Sequence, residues 1–400
     1  MREVVIVAAR RTPIGRYRGI FRDVRPDDLA ALVLRQVLDD IHLDPVQVDD
    51  VLMGAANQAG EDNRNVARMA LLLAGFPVSV PGVTLNRLCG SSLEAVNRGY
   101  HAIAAGDADI VIAGGVESMT RAPFILPKSD QGFPNGTQSL YDTTIGWRMT
   151  NPRLAEQYYP YSMGETAENL AERFSITREA QDAWAVRSHQ RAVAAQESGQ
   201  FQREIVPVPV VNSKIGGTHW ETRDEHPRSE TSLEKLAQLK PAFRENGSVT
   251  AGNASGINDG AAAVVLMARE SAEAQGIEPL AVIRGTGVAG VDPAIMGYGP
   301  VPATKKALAR AGWSLPDVEQ VELNEAFAAQ VLAVLRDLPF DEEIVNRHGG
   351  AIALGHPLGA SGARILTTLI YGMQTTGVRR GLATMCIGVG QGIATLVERL

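Results

Sequence analysis

One pattern occurs twice in this chain: a short apolar run, a turn of small residues, a helical stretch and a second apolar run. The first copy starts at Val83-Thr84-Leu85 and turns through Asn86-Arg87-Leu88-Cys89-Gly90-Ser91-Ser92. A helix over 93–105 and a strand over 109–113 follow, before Gly114-Gly115. The second copy passes through Gly349-Gly350-Ala351-Ile352-Ala353-Leu354-Gly355-His356-Pro357 and restarts at Gly359-Ala360-Ser361-Gly362. Its spacing predicts a helix to about residue 374 and a strand over 381–385. The repeat is one of pattern, since Cys89 in the first copy answers to His356 in the second. Two similarly folded halves facing each other, each delivering a reactive residue at a helix start, satisfy this pattern. A chain of 400 residues is too long for one small core and suits such a duplicated unit.

Elsewhere short apolar runs alternate with helical patterns, which predicts α/β layers with substantially parallel strands. A first strand is expected over 4–8, and Arg25-Pro26-Asp27-Asp28 opens a helix with proline and acids in its first turn. A strand over 51–54 and a helix over 65–74 come next. Residues 119–248 differ: they are rich in Pro, Gly and polar residues, with a single helical stretch over 164–199. So long a stretch is improbable as a structureless loop, and it is expected to be an inserted domain covering a site. The expected organisation is therefore 1–118 with 249–275 as one half, 119–248 inserted, and 276–400 as the second half. The latter opens on a strand near 280–283, with a helix over 303–310 and a strand over 318–323.

A net charge of −7 leaves no broad basic field, which argues against nucleic acid and anionic membrane as partners. Any anionic ligand must be held locally. The first residues, Met1-Arg2-Glu3-Val4-Val5-Ile6-Val7, form too short an apolar run for export or membrane spanning. With only two cysteines a disulfide framework is excluded, and a reducing cytoplasm is the expected compartment.

Those two cysteines carry the chemistry. Cys89 precedes a helix, where unpaired N–H groups and the dipole favour a thiolate, and Gly90, Ser91 and Ser92 leave room for a substrate. The bland alternative is a small buried hydrophobe. His356, between Gly355 and Pro357, is placed to take the proton of Cys89 or to donate to an oxyanion. Cys386 ends an apolar strand and is followed by Ile387-Gly388-Val389-Gly390-Gln391-Gly392, so the Gly388 N–H is a candidate oxyanion donor. Asn324-Glu325 stands at the end of Val321-Glu322-Leu323, where helix capping by Asn324 is the competing reading. The five histidines other than His348 and His356 are expected at the surface.

Four separated segments together resemble the thiolase family over essentially the whole chain: Asn86-Arg87-Leu88-Cys89-Gly90-Ser91, Asn324-Glu325-Ala326-Phe327-Ala328, the run Gly349 to Gly359, and Cys386 to Gly392. The resemblance implies a duplicated five-layer αβαβα fold with an inserted loop domain. It further implies that Cys89 is acylated by a thioester, that His356 activates it, and that Cys386 moves the α-proton of acetyl-CoA. Asn324, through a held water, and His356 would form one oxyanion site, and the N–H groups of Cys89 and Gly388 the other. Thr250-Ala251-Gly252-Asn253-Ala254-Ser255-Gly256 matches the loop along the pantetheine, with Ser255 near it. Arg228 and Phe243 match positions at the nucleotide end of CoA, and Met163, Ala326 and Phe327 positions near the pantetheine. CoA and acyl-CoA are thus the implied partners, with CoA as substrate and no metal or other cofactor. A homodimer or homotetramer is implied as well. Two departures stand out. His348 replaces an asparagine common in the family, and Ser162-Met163 replaces the His-Met of many acetoacetyl-CoA thiolases, which leaves acyl specificity open.

Competing readings are a ketosynthase-type condensing enzyme, a papain-like hydrolase and an inactive acyl-CoA-binding protein. Cys386 argues against all three, because only removal of a proton from an unactivated acetyl thioester calls for a second thiol. The stretch Leu140-Tyr141-Asp142-Thr143-Thr144-Ile145-Gly146-Trp147-Arg148 resembles that of thiolases cleaving 3-oxoadipyl-CoA, intermediates of aromatic degradation. Arg148 would then pair with the terminal carboxylate, the alternative being a surface or inter-subunit arginine.

Overall fold

The computed structural model describes residues 2–130, 132–211 and 217–400. Two half-sheets form its frame. In the first the strands lie in the order Gly82–Leu85, Asp50–Gly54, Ile110–Ser118, Asn258–Ala268, Val4–Arg11. In the second the order is Ala281–Gly290, Gln391–Glu398, Arg380–Ile387, Gln320–Leu323. The two join edge to edge at one narrow seam, where Val5 pairs with Val282 and Ile6 with Ala281.

The sheets are mixed, which corrects the expectation of substantially parallel strands. Only Asp50–Gly54 with its two neighbours and Gln320–Leu323 with Arg380–Ile387 run parallel. The other pairings of these nine strands are antiparallel. Gln391–Glu398 returns from Arg380–Ile387 by a tight turn, and Asn258–Ala268 returns from the long 119–257 excursion. Neither is a helical crossover, so neither is held to the parallel direction. Runs such as IVIAGGVES and NDGAAAVVLMA are buried along their whole length. Helices on both faces produce such runs in either strand direction, and hydropathy cannot tell the two apart.

Helices Pro26–Asp39 and Val66–Leu73 pack on the outer face of the first half-sheet, and Pro300–Ala311 with Ala328–Asp337 on that of the second. Ser91–Ala105 and Ser361–Thr376 lie together between the sheets. This is the five-layer αβαβα arrangement. The first helix has Pro26 at its start and Asp27 and Asp28 in its first turn. Each central helix ends on a left-handed glycine, Gly106 at φ +88° and Gly377 at φ +76°.

The central pair approaches very closely. A Cβ on Gly362 would sit 2.5 Å from the Leu93 nitrogen and 2.6 Å from its Cβ. Ser92 Oγ accepts a hydrogen bond from the Ala363 N–H at 2.9 Å, tying the two first turns together.

Residues 119–257 leave the first half after Ser118 and return at Asn258, beside their point of departure, for Asp259 pairs with Ser118. Here the single helical stretch over 164–199 resolves into two helices, Met163–Arg173 and Arg178–Glu197. Ser175 at φ +50° breaks the first. Thr177 then caps the second by accepting from the Ala180 N–H at 3.2 Å. A helical period read across 174–177 passes over a cap whose signal, a threonine after a short break, is present.

Candidate active site

Cys89 stands in the turn that feeds Ser91–Ala105, one residue before the Gly90 cap, with Leu88 held at φ +47°. The Gly388 N–H donates to its sulfur, which favours the thiolate. Burial acts the other way and more strongly, and with the nearby Glu117 charge it pushes the thiol pKa up to about 11. Burial of the sulfur thus opposes the helix start and the Gly388 N–H, which favour the thiolate.

His356 is buried, and its ring is oriented by one neighbour. Ser361 Oγ donates its only proton to the Pro357 carbonyl at 2.9 Å. At the 2.6 Å contact between Ser361 Oγ and His356 Nδ1 the hydroxyl must then accept. This places the imidazole proton on Nδ1 and leaves the Nε2 lone pair free. Nε2 has no hydrogen-bond partner among the described residues. Burial, with the Arg364 charge adding, lowers the pKa of His356 to about 3, so it rests neutral and able to accept a proton. The backbone is pinned as well, the His356 N–H donating to Asn258 Oδ1 at 2.9 Å.

Cys386 is buried at the end of Arg380–Ile387. Burial, then the charge of Cys89, raises its pKa, so the two thiols are within electrostatic reach of each other. Asn324 follows the neighbouring strand, its N–H donating to the Thr384 carbonyl at 3.0 Å. It caps no helix, since Phe327 occupies the cap of Ala328–Asp337. Asn324 is completely buried, yet among the described residues neither its Oδ1 nor its Nδ2 has a partner. Buried amides are rarely left so, and an unspent donor and acceptor mark a place for a bound group.

A cavity of about 410 Å³ opens in front of Cys89. Gly388, Met163, Leu358, Glu117 and Arg148 also line it. The 143–148 stretch is held over it by Asn57 Nδ2, which donates to Thr143 Oγ1 at 2.9 Å, and by Trp147 Nε1, which donates to the Tyr161 carbonyl at 2.9 Å. Arg148 has no ion pair among the described residues.

The residues matched to CoA contacts lie as follows. Met163, Ala326 and Phe327 pack in one cluster with Cys386. Ala326 and Phe327 are buried, so they back the cavity and do not line it. Phe243 meets Phe327 edge-on, centroids 6.1 Å apart. Ser255 donates its N–H to the Ala326 carbonyl at 3.0 Å, strapping its loop to the same segment. Arg228 is exposed without a carboxylate partner among the described residues, its N–H donating to His189 Nδ1 at 3.2 Å. Ser162 makes a capping box with Glu165. His348 packs edge-on against Phe201, centroids 6.4 Å apart. His189 is buried and stacks on His226, so those two correct the expectation of five surface histidines.

Three residues support the site, of which Glu117 and Asn258 had no local signature, while Glu325 stood in the Asn324-Glu325 pair without an assigned role. Glu117 accepts from the N–H groups of Ala56, Asn57 and Gly359 at 2.9, 3.1 and 2.7 Å, bracing both halves. Glu325 accepts from Trp184 Nε1, Ser188 Oγ, Asn346 Nδ2 and the Ile352 N–H. Asn258 holds His356. Ser361 was within the small-residue run, but its role required the fold.

Paired thiols, a neutral histidine base and unspent oxyanion donors at the junction of two αβ halves define an acyltransferase that works through cysteine thioesters. Comparison with known proteins narrows this. The thiolase N-terminal domain family matches residues 4–270 and the thiolase C-terminal domain family residues 277–399. The chain is 55% identical over 403 residues to a 3-oxoadipyl-CoA/3-oxo-5,6-dehydrosuberyl-CoA thiolase of Escherichia coli strain K12, covering 100% of each. It is 50% identical over 397 residues to an acetyl-CoA acetyltransferase of Chromobacterium violaceum, covering 99% of this chain and 100% of the relative. The crystal structure of the Bacillus anthracis acetyl-CoA acetyltransferase superposes with a TM-score of 0.94 at 44% identity, covering 100% of this chain and 99% of that one. The chain belongs to the thiolase family, and its activity is acyl transfer between CoA thioesters.

Two outcomes follow from the resting state of the pair. With the Cys89 pKa raised to about 11, the rate of its alkylation by iodoacetamide should keep rising with pH beyond pH 9. A plateau near neutrality would show a preformed thiolate. In Ser361→Ala the Nδ1 proton loses its acceptor and both tautomers become accessible, so kcat should fall by about 10- to 100-fold with little change in KM. Unchanged kcat would show that Ser361 does not set the tautomer.

Proposed function

We propose that this thiolase cleaves 3-oxoadipyl-CoA with CoA, giving succinyl-CoA and acetyl-CoA. The observation that carries this reading is Arg148, a guanidinium without an ion pair among the described residues, lining the same cavity as Cys89. A terminal carboxylate on the acyl chain would pair with it bidentately. The substrates in the names of the Escherichia coli relative and of a beta-ketoadipyl-CoA thiolase of Pseudomonas aeruginosa, 54% identical over 402 residues, support it. Cleavage of acetoacetyl-CoA is the second reading, favoured by the name of the Chromobacterium relative.

In this reading Cys89 attacks the C3 carbonyl as its proton passes to His356 Nε2. Because both groups rest neutral, attack and transfer occur together. The oxyanion is met by N–H donors, either those of Cys89 and Gly388 or His356 with a water on Asn324. The C2–C3 bond then breaks, its electron pair going to the acetyl-CoA enolate, and the Cys386 thiol protonates that enolate. CoA then gives its thiol proton to the Cys386 thiolate and attacks the acyl-Cys89 thioester, and the protonated His356 returns its proton to the departing Cys89 sulfur, so that both thiols and the neutral imidazole are restored. Met163, Ser255, Ala326 and Phe327 flank the pantetheine, with Arg228 and Phe243 at the nucleotide end.

We place the enzyme in the cytoplasm as a homodimer or homotetramer. Its need for reduced thiols supports the compartment. The exposed apolar side chains of Phe124, Leu126, Phe133, Leu140 and Tyr159 support association.

Arg148→Ala should lower kcat/KM for 3-oxoadipyl-CoA by about 10- to 100-fold, the usual worth of a hydrogen bond to a charged group, and leave acetoacetyl-CoA nearly unaffected. A wild-type preference for acetoacetyl-CoA, or equal losses on both substrates, would overturn the specificity. Cys386→Ser should lose most turnover while mass spectrometry still finds Cys89 acylated by an acyl donor. Normal turnover would remove Cys386 from the reaction.

A further inference from the structure

Away from the Cys89 cavity, a smaller one of about 140 Å³ lies where Ser91–Ala105, the strand Ala281–Gly290 and the helix Pro300–Ala311 meet. Its lining includes Arg87, Arg98, Lys306 and Arg310 against one carboxylate, Glu94. We propose that this cavity binds a small oxoanion of the size of inorganic phosphate.

The charges do not cancel within the protein. Glu94 is shared by two cations, lying 3.0 Å from Arg87 Nε and 2.7 Å from Arg98 Nε. Lys306 Nζ donates to the Val288 carbonyl at 3.2 Å, and Arg310 Nη1 donates to the Thr286 carbonyl at 2.9 Å. Neither has a carboxylate partner among the described residues. In a chain of net charge −7 this is a local reversal of sign, and it is felt by a neighbour. The His101 pKa is lowered by burial and further by the charges of Arg98 and Arg310.

A second, independent feature comes from Asn97, which also lines the cavity and is buried to 2% exposure. Its Oδ1 accepts from Thr395 Oγ1 at 2.7 Å, which fixes the amide orientation. Among the described residues its Nδ2 has no partner. A buried donor without an acceptor, beside Lys306 and Arg310, which have no carboxylate partner among the described residues, calls for an anion that accepts several hydrogen bonds. The volume admits one tetrahedral oxoanion and excludes a nucleotide. Arg87 also joins the cavity to the reaction centre. It lies two residues before Cys89, and its Nη1 donates to Gln391 Oε1 at 2.8 Å, at the foot of the turn that presents Gly388.

The test is thermal melting of the full chain in sodium phosphate against sodium chloride at equal ionic strength. A saturable rise specific to phosphate is expected. At 10 mM with a Kd of about 1 mM, the folded-to-unfolded ratio rises about tenfold. Arg98, Lys306 and Arg310 are exposed, so their substitutions leave the core intact. The double variant R98Q/K306Q, and separately R310Q, should lose the rise. R228Q, altered at the proposed nucleotide end of CoA, should keep it. No rise beyond chloride overturns the site. So does a rise that survives in R98Q/K306Q or disappears in R228Q, the latter placing the phosphate with CoA.

Discussion

The contact on which the rest depends is the crossing of the two central helices at their first turns. Gly362 has no side chain because Leu93 occupies the space one would need, and Ser92 Oγ takes the Ala363 N–H. At this spacing each helix start serves the other half's loop. The turn before one carries Cys89, and the turn before the other carries His356. A small residue at the crossing thus sets the spacing of the two turns as well as the packing, since a wider separation would part Cys89 from His356.

Around that crossing, buried polar groups are divided into two kinds. Glu325, Glu117 and Asn258 spend their hydrogen-bonding capacity on backbone and side chains of neighbouring loops. They make the loops rigid. Among the described residues, Asn324 and His356 Nε2 keep theirs unspent despite burial. In a well-packed interior that combination is costly unless a ligand completes it. The same desolvation that raises the thiol pKa values and lowers that of the imidazole also strengthens every donor aimed at a developing oxyanion.

Much of this was legible beforehand. The strand, small-residue turn and helix around Cys89 were visible because glycine, serine and apolar periodicity are local signals, and the same holds for Ser361 to Thr376. The capping by Ser162 and Thr177 was within reach of the same rules. Strand direction was not, because doubly covered strands have identical hydropathy whether they run with or against a neighbour. Nor was the burial that opposes the Cys89 thiolate, since a helix start is a feature of sequence, while the surroundings that raise the Cys89 pKa are assembled from distant segments. Glu117, Asn258 and the buried stack of His189 on His226 were hidden for the same reason: their partners lie far away along the chain.

The adjacency of Ser118 and Asp259 has a consequence for how such enzymes diversify. The whole 119–257 excursion leaves and re-enters through neighbouring antiparallel positions, so its ends are already joined by the sheet. Closing a longer or shorter excursion between fixed ends changes the entropy only logarithmically with length. Mutation can therefore lengthen, trim or replace this segment, whose residues 143–148 line the cavity in front of Cys89, while the strand ends and helix starts that carry Cys89 and Cys386 keep their places in the sheet.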